Sequence, residues 1–191
     1  MTLLGRLLHN RRAGEAHTAW NLPNLRGPAL LTLTSPHFAD GDVMPPQHGA
    51  KNIGGENLSP HLAWTPAPPP GTAQLLLVVE DIDVPLPRPA VHCVALVDPA
   101  SGDLGPGALD ARRPAAGVRV LRSTIGRGYH GPAPIKGHGP HRYTFQLFAL
   151  GATVDGTLGA EAADRARPRA LLGAITAPVL ARGRLTGTYE R

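Results

Sequence analysis

Apolar residues at Leu3, Leu4, Leu7 and Leu8 follow an i, i+1, i+4, i+5 spacing that predicts a short helix with one apolar face. The polar run Asn10 to His17 and the punctuation at Pro23 and Pro28 then set residues 1–28 apart as an N-terminal arm. From Leu30 onward helical spacing gives way to short β-like runs separated by proline and glycine. Ala29 to Thr34 alternates; Leu75 to Val79, Val91 to Val97 and Tyr143 to Leu150 are continuous and apolar, and Val118 to Leu121 is a shorter run. Continuous runs predict strands covered on both faces, and the whole pattern is that of an all-β sandwich or barrel over residues 29–191. Residues 45–59, 66–71, 85–89 and 126–140 are too rich in proline and glycine for helix and are read as loops, the segments that commonly carry function. After Leu150, Pro168 opens a predicted helix over Arg169 to Ala181, with Leu171, Leu172, Ile175, Val179 and Leu180 as its apolar stripe. Gly183 is expected to stop it and Arg184 to Glu190 to return as a final short strand.

Composition narrows this picture. With 191 residues, 42% hydrophobic and 17% charged, the chain suits one globular domain with one core, soluble and without the apolar run a membrane span needs. The formal charge of +5 is carried almost wholly by arginine, since Lys51 and Lys136 are the only lysines; the abundance of arginine, alanine, glycine and proline reads as a compositional bias. Aromatic residues are only 4% and the arginines are scattered, so a nucleic-acid partner is not expected. The single cysteine, Cys93, excludes an intrachain disulfide. Arg6 interrupts the N-terminal leucines and no small-residue cleavage site follows, so no signal peptide is read and the expected compartment is the cytoplasm.

Candidate chemistry gathers where the run Leu75 to Val79 emerges into Glu80-Asp81-Ile82-Asp83-Val84-Pro85. Asp81 and Asp83, two apart on an extended chain, point to one side. His92, at the start of the next run, returns to the same end if the two strands pair antiparallel. The segment Gly126-Arg127-Gly128-Tyr129-His130-Gly131 formally reads G-x-G-x-x-G, but Pro132 and Pro134 follow where a nucleotide fingerprint would open a helix. No dinucleotide or other cofactor is implied; what remains is a glycine-rich loop whose backbone N–H groups could approach an anion. Singly, Asp81 and Asp83 also fit turn caps, and His92 and His141 fit structural histidines. Cys93 is read as a small buried hydrophobe rather than a nucleophile. His138 and His141 form an H-x-x-H pair without a supporting metal motif.

Taken in order, Asp81-Ile82-Asp83-Val84-Pro85, His92, Gly128-Tyr129-x-Gly131-Pro132-x-Pro134 and Gly139-Pro140-His141-Arg142-Tyr143-x-Phe145 form a specific series. It resembles the phosphatidylethanolamine-binding protein family, closest to its bacterial Raf-kinase-inhibitor-like branch. Asp40-Gly41 before Pro45, and Asn57-Leu58-Ser59-Pro60 with Trp64 downstream, extend the likeness from about Leu31 to Tyr189. The resemblance implies an antiparallel two-sheet β-sandwich with a shallow anion pocket at one end. Asp81, Asp83, His92 and His141 would line that pocket, with Gly131, Pro132 and Tyr143 in its wall. Two positions depart from the family pattern: Ile82 stands where proline is usual, and Cys93 where tryptophan is usual.

The expected function is non-catalytic, reversible binding of a small phosphorylated or carboxylated ligand, with regulation of a partner protein as a consequence. Acids can face an anion only with protons between them, which makes the site pH-sensitive. The rival is a metal-assisted hydrolase using Asp83, His92 and His141, and a third reading is an interaction protein with a basic surface. The leucine stripe of the arm seeks cover, on the domain or in a homodimer.

Overall fold

The computed structural model describes residues 3–191. Among them, eight strands form two antiparallel sheets: β1 (Thr32–Thr34), β2 (Leu62–Thr65), β3 (Gln74–Asp81), β4 (Ala90–Val97), β5 (Asp103–Leu104), β6 (Val118–Val120), β7 (His141–Leu150) and β8 (Val179–Tyr189). The smaller sheet runs β1-β2-β5 and the larger β6-β4-β3-β7-β8. This is the all-β, two-sheet sandwich that the sequence resemblance implies. The helices are short: α1 (Leu3–Leu8), α2 (Val154–Leu158), α3 (Ala160–Arg165) and α4 (Pro168–Ala174).

The central strands are apolar throughout because both faces of the large sheet are covered. Alternate residues Leu75, Leu77, Val79, Phe145 and Leu147 pack toward Leu33, Leu62, Trp64 and Leu104 of the small sheet. The intervening residues Leu76, Val78, Val94, Leu96 and Phe148 pack against Leu171, Leu172 and Ile175 and against Ala19 and Leu25. Each such buried side chain contributes about 1.5–3 kcal/mol of hydrophobic stabilisation. Residues 19–25 of the N-terminal arm therefore belong to the core that closes the outer face. Polar contacts seat them: Glu80, fully buried and turned to that face, accepts from the Ala19 N–H at 2.7 Å and from Gln146 at 2.7 Å, while Gln146 accepts from the Trp20 N–H at 2.6 Å. Arg169 lies 2.6 Å from the other Glu80 oxygen. Even so, burial pushes the Glu80 carboxyl above its ordinary range.

Several element boundaries differ from the expectation. The helix expected over 169–181 ends at Ala174, and Val179 and Leu180 already lie in β8, which runs through Gly183 to Tyr189. Pro178 has no N–H for a helical bond and disfavours helix at Ala177, while β7 offers a ten-residue edge to pair with. Gly183 does not stop a helix; it lets β8 pass close to the chain at Leu31, whose carbonyl oxygen would lie 2.4 Å from an added Cβ. The strand expected over 29–34 narrows to β1, because the Leu31 N–H donates instead to the Arg182 carbonyl of β8. β2 and β5, four and two residues long, are too short to stand out in the pattern. α1 is helical as expected; the side chains of Leu3 and Leu4 lie outside what is described, and Leu7 is 71% exposed.

Candidate functional site

Strand register decides which of the singled-out residues meet. Asp81 of β3 lies opposite Tyr143 of β7, and His141, two residues before Tyr143, shares its sheet face. On the other side, the β3–β4 ladder slips: Val79 faces Cys93 but Glu80 faces Val91. His92 is therefore the extra residue of a β-bulge, a device that re-aims a side chain at a strand end. Its ring packs edge-on against Tyr143 at 5.2 Å between centroids, and Tyr143 stacks with His141 at 6.4 Å. His92, Tyr143, His141 and Asp81 thus form one cluster, each at most 5% exposed.

Two members of this cluster hold polar atoms with no hydrogen-bond partner among the described residues. The Tyr143 hydroxyl is buried and unpaired: it lies near the Asp81 carboxylate and the Ala133 backbone but reaches neither with hydrogen-bond geometry. Burial, with the Asp81 charge in the same direction, holds that phenol far above its ordinary range, so it is a donor. His92 donates from Nδ1 to the His130 carbonyl at 2.7 Å, and its Nε2 has no protein partner among the described residues. Burial holds His92 below the usual histidine range, against the favourable contributions of the His130 carbonyl and the Asp81 charge.

Behind them runs a chain of three hydrogen bonds. His138 Nε2 donates to the Leu8 carbonyl at 2.8 Å, His138 Nδ1 and His141 Nε2 are 2.7 Å apart, and His141 Nδ1 meets Asp81 Oδ2 at 2.7 Å. A carbonyl at one end and a carboxylate at the other are both acceptors, so three bonds in series require three protons. Two neutral imidazoles and a carboxylate bring only two. Two protons satisfy two of the three contacts, and the tautomers decide which two.

Asp83 has a different setting. Its Oδ2 accepts from the Arg142 backbone N–H at 2.9 Å and Arg142 Nε at 2.8 Å, its Oδ1 accepts from Arg142 Nη2 at 2.8 Å, and Arg12 stands 3.3 Å away. Burial alone would raise its carboxyl; the Arg142 bonds and the Arg12 charge outweigh it and hold the group below the usual carboxylate range. Its oxygens are engaged with arginines rather than turned to the histidines. Among the described residues no group of three or more His, Cys, Asp or Glu is arranged to hold a metal.

The glycine-rich loop also differs from its expectation as an anion cradle. The Tyr129 N–H donates to Leu109, the His130 N–H to His92 and the Gly131 N–H to Asn57 Oδ1, so these donors are engaged within the protein. Gly131 is required by close approach, since a Cβ there would meet the His48 carbonyl oxygen at 2.2 Å. Asn57, with φ of 58°, clamps the loop by also donating to the Tyr129 carbonyl at 2.9 Å. Pro132 accepts the Ala50 N–H at 2.9 Å, seating the loop beside it. A cavity of about 360 Å³ borders the cluster through His130, Gly131 and Ala133; Asp81, His92, His141 and Tyr143 are not in its lining.

At the two departures from the family pattern, Ile82 uses the N–H a proline would lack, donating to the Arg142 carbonyl at 3.1 Å. Cys93 is a core residue, fully buried, its thiol pushed up to about 12 by burial. The arm was the element least legible as part of the site. Its Leu8 and Arg11 carbonyls accept from His138, His9 donates to the His138 carbonyl at 3.1 Å, and Arg12 reaches the Pro140 carbonyl at 3.1 Å. A polar run without periodicity carries no signal for such docking.

An antiparallel two-sheet sandwich with a histidine, aspartate and tyrosine cluster at the end of its central strands defines a ligand-binding β-sandwich. The chain matches the family model described as phosphatidylethanolamine-binding protein over residues 34–190. It is 36% identical over 161 residues to LppC of Mycobacterium tuberculosis, named for a lipoprotein, covering 84% of this chain and 72% of that one. It is 36% identical over 125 residues to the UPF0098 protein YbhB of Escherichia coli, covering 63% of this chain and 78% of that one. Among solved structures, E. coli YbcL superposes with a TM-score of 0.71 at 26% identity, covering 85% of this chain and 99% of that one. The chain belongs to the phosphatidylethanolamine-binding protein family, in its bacterial YbhB/YbcL-type branch. Among the described residues no helix is long and apolar enough to cross a membrane.

Proposed function

We propose that this protein reversibly binds a compact phosphate-like anion at the face formed by His92, Tyr143, His141 and Asp81, without turning it over. The observation that carries the reading is the buried, unpaired Tyr143 hydroxyl standing between two histidines. A buried donor without a partner costs about 1–3 kcal/mol and persists where a ligand completes it. His92 Nε2 supplies a second contact: its Nδ1 proton is committed to the His130 carbonyl, so an added proton goes to Nε2 and faces the ligand. Three protons shared along His138, His141 and Asp81 would complete that chain of bonds and keep the Asp81 charge from repelling the anion. Asp83 serves in support by anchoring Arg142 and Arg12. Gly131 and Pro132 shape the rim.

The non-catalytic part of the reading rests on chemistry of the side chains. Cys93 has neither exposure nor an accessible thiolate, and Asp83 is engaged by arginines instead of poised as a base.

Isothermal titration with inorganic phosphate tests the proposal. Because burial favours neutral His92, affinity should rise as pH falls from 8 through the region below about 6.5. Tyr143→Phe and His92→Ala should each weaken binding about tenfold or more, the loss expected for a bond to a charged partner. Affinity that is flat with pH and indifferent to both substitutions would overturn the assignment.

A further inference from the structure

One loop away from the His92 face lies a concave surface with more cationic than anionic side chains. A cavity of about 600 Å³ is lined by Lys51, Arg112, Arg113 and Arg127 against one carboxylate, Asp110. Arg127 is committed, donating to Asp164 at 3.2 Å and to the Val120 carbonyl at 2.9 Å. The Asp110 carboxylate accepts the backbone N–H groups of Arg112 and Arg113 at 2.7 and 2.8 Å, which fixes the turn. Asp110 feels the charges of Lys51 and Arg112, but no described residue forms an ion pair at bonding distance with either guanidinium group or with the Lys51 ammonium. Like charges held around one cavity repel, and an anion seated among them relieves that repulsion.

This cavity adjoins the one that borders the cluster. Lys51, Asn57 and His130 line both, and the second continues to Gly131 and Ala133. His130 joins them to the first site, since its carbonyl receives the His92 Nδ1 proton while its own ring Nε2 is buried without a partner. Together the adjoining cavities make a trough whose linings run from Gly131 and Ala133 to Lys51, Arg112 and Arg113.

We propose that the ligand carries two anionic groups, one at the His92, Tyr143 and His141 face and one on Lys51, Arg112 and Arg113, which makes it a compact organic bisphosphate or a close analogue. The inference rests on the anion-binding reading of the first face. A monoanionic head group would leave the cationic end of the trough unused. The bounded, concave shape suits a small molecule, and its one tyrosine, Tyr129, is buried and bonded to the His48 carbonyl rather than presented for stacking.

Calorimetry at fixed ionic strength with inorganic phosphate, pyrophosphate and butane-1,4-diol bisphosphate decides it. On the unmodified chain at least one of the two double anions should bind tenfold or more tighter than phosphate. The double substitution Arg112→Ala/Arg113→Ala, at two exposed positions, should abolish that gain and leave phosphate affinity within twofold. Arg26→Ala, an exposed cation beside Arg182 at the far end of β7, should preserve the gain. Thermal melts confirm that the variants fold. Phosphate binding with no gain for either double anion refutes this inference alone, as does a gain that survives Arg112→Ala/Arg113→Ala or disappears with Arg26→Ala. No phosphate binding to the unmodified chain refutes the reading of the first face, and this one with it.

Discussion

Tyr143→Phe removes one oxygen and separates the demands of binding from those of folding. Tyr143 is 1% exposed, its ring packs in the inner core, and its hydroxyl has no partner. Phenylalanine keeps the ring contacts with His92 and His141 and deletes only the unsatisfied group. Burying a hydroxyl without a hydrogen bond costs about 1–3 kcal/mol on protein mutational scales, so relieving it should stabilise the free protein by about 1 kcal/mol. For a chain of 191 residues that corresponds to a rise in Tm of about 2–4 °C. Phosphate should reverse the ranking: the unmodified protein gains RT ln(1 + [L]/Kd) from the ligand, while the variant, with a weaker site, gains less. Differential scanning calorimetry with and without phosphate reads both effects. A variant that melts lower than the parent in the absence of anion, or that gains as much from phosphate, would refute the claim that an unpaired donor is held for a ligand.

Asp83→Asn should destabilise the fold by about 2 kcal/mol, because an amide at 2% exposure presents a donor to Arg142 and removes the counter-charge of two arginines that are themselves partly hydrated; urea unfolding measures it, and a loss under 0.5 kcal/mol would show the ion pair to be idle. His92, His48 and His130 are each held below the ordinary histidine range, first by burial, so the unfolded chain takes up protons that the folded one refuses; stability is full above about pH 6.5 and falls as pH drops through the lowered values. Melts between pH 8 and 5 without phosphate should show that decline, and a flat or rising Tm toward pH 5 contradicts it. Cys93, with its thiol pushed up to about 12 inside the core, should resist a thiol reagent at pH 8 until denaturant is added; rapid labelling of the native protein would show the strand end to be open.

Much of the large sheet was legible in the chain. Leu75 to Val79, Val91 to Val97 and Tyr143 to Leu150 are apolar at every position because both faces are covered, and burial on two sides leaves that mark in composition. The D-x-D at the end of one run and the histidine at the start of the next were legible for the same reason, as charge where an apolar pattern breaks off. The helix expected over Arg169 to Ala181 was wrong beyond Ala174, because the apolar stripe over 175–181 fits either period and only Pro178 and the open edge of β7 settle it.

By itself, then, the sequence determined the fold class, the family and the residue types gathered at one sheet end, because periodicity, proline and an ordered motif series are local properties of the chain. Tertiary structure alone decided what each of those residues does. Pairing register turned Glu80 to the outer face and Asp81 to the inner one, a single bulge brought His92 beside Tyr143, and Arg142 and Arg12 took up the oxygens of Asp83. The N-terminal arm, unremarkable in pattern, became part of both the core and the proton chain. Such roles depend on partners distant in sequence, and a one-residue change in register would reassign them all.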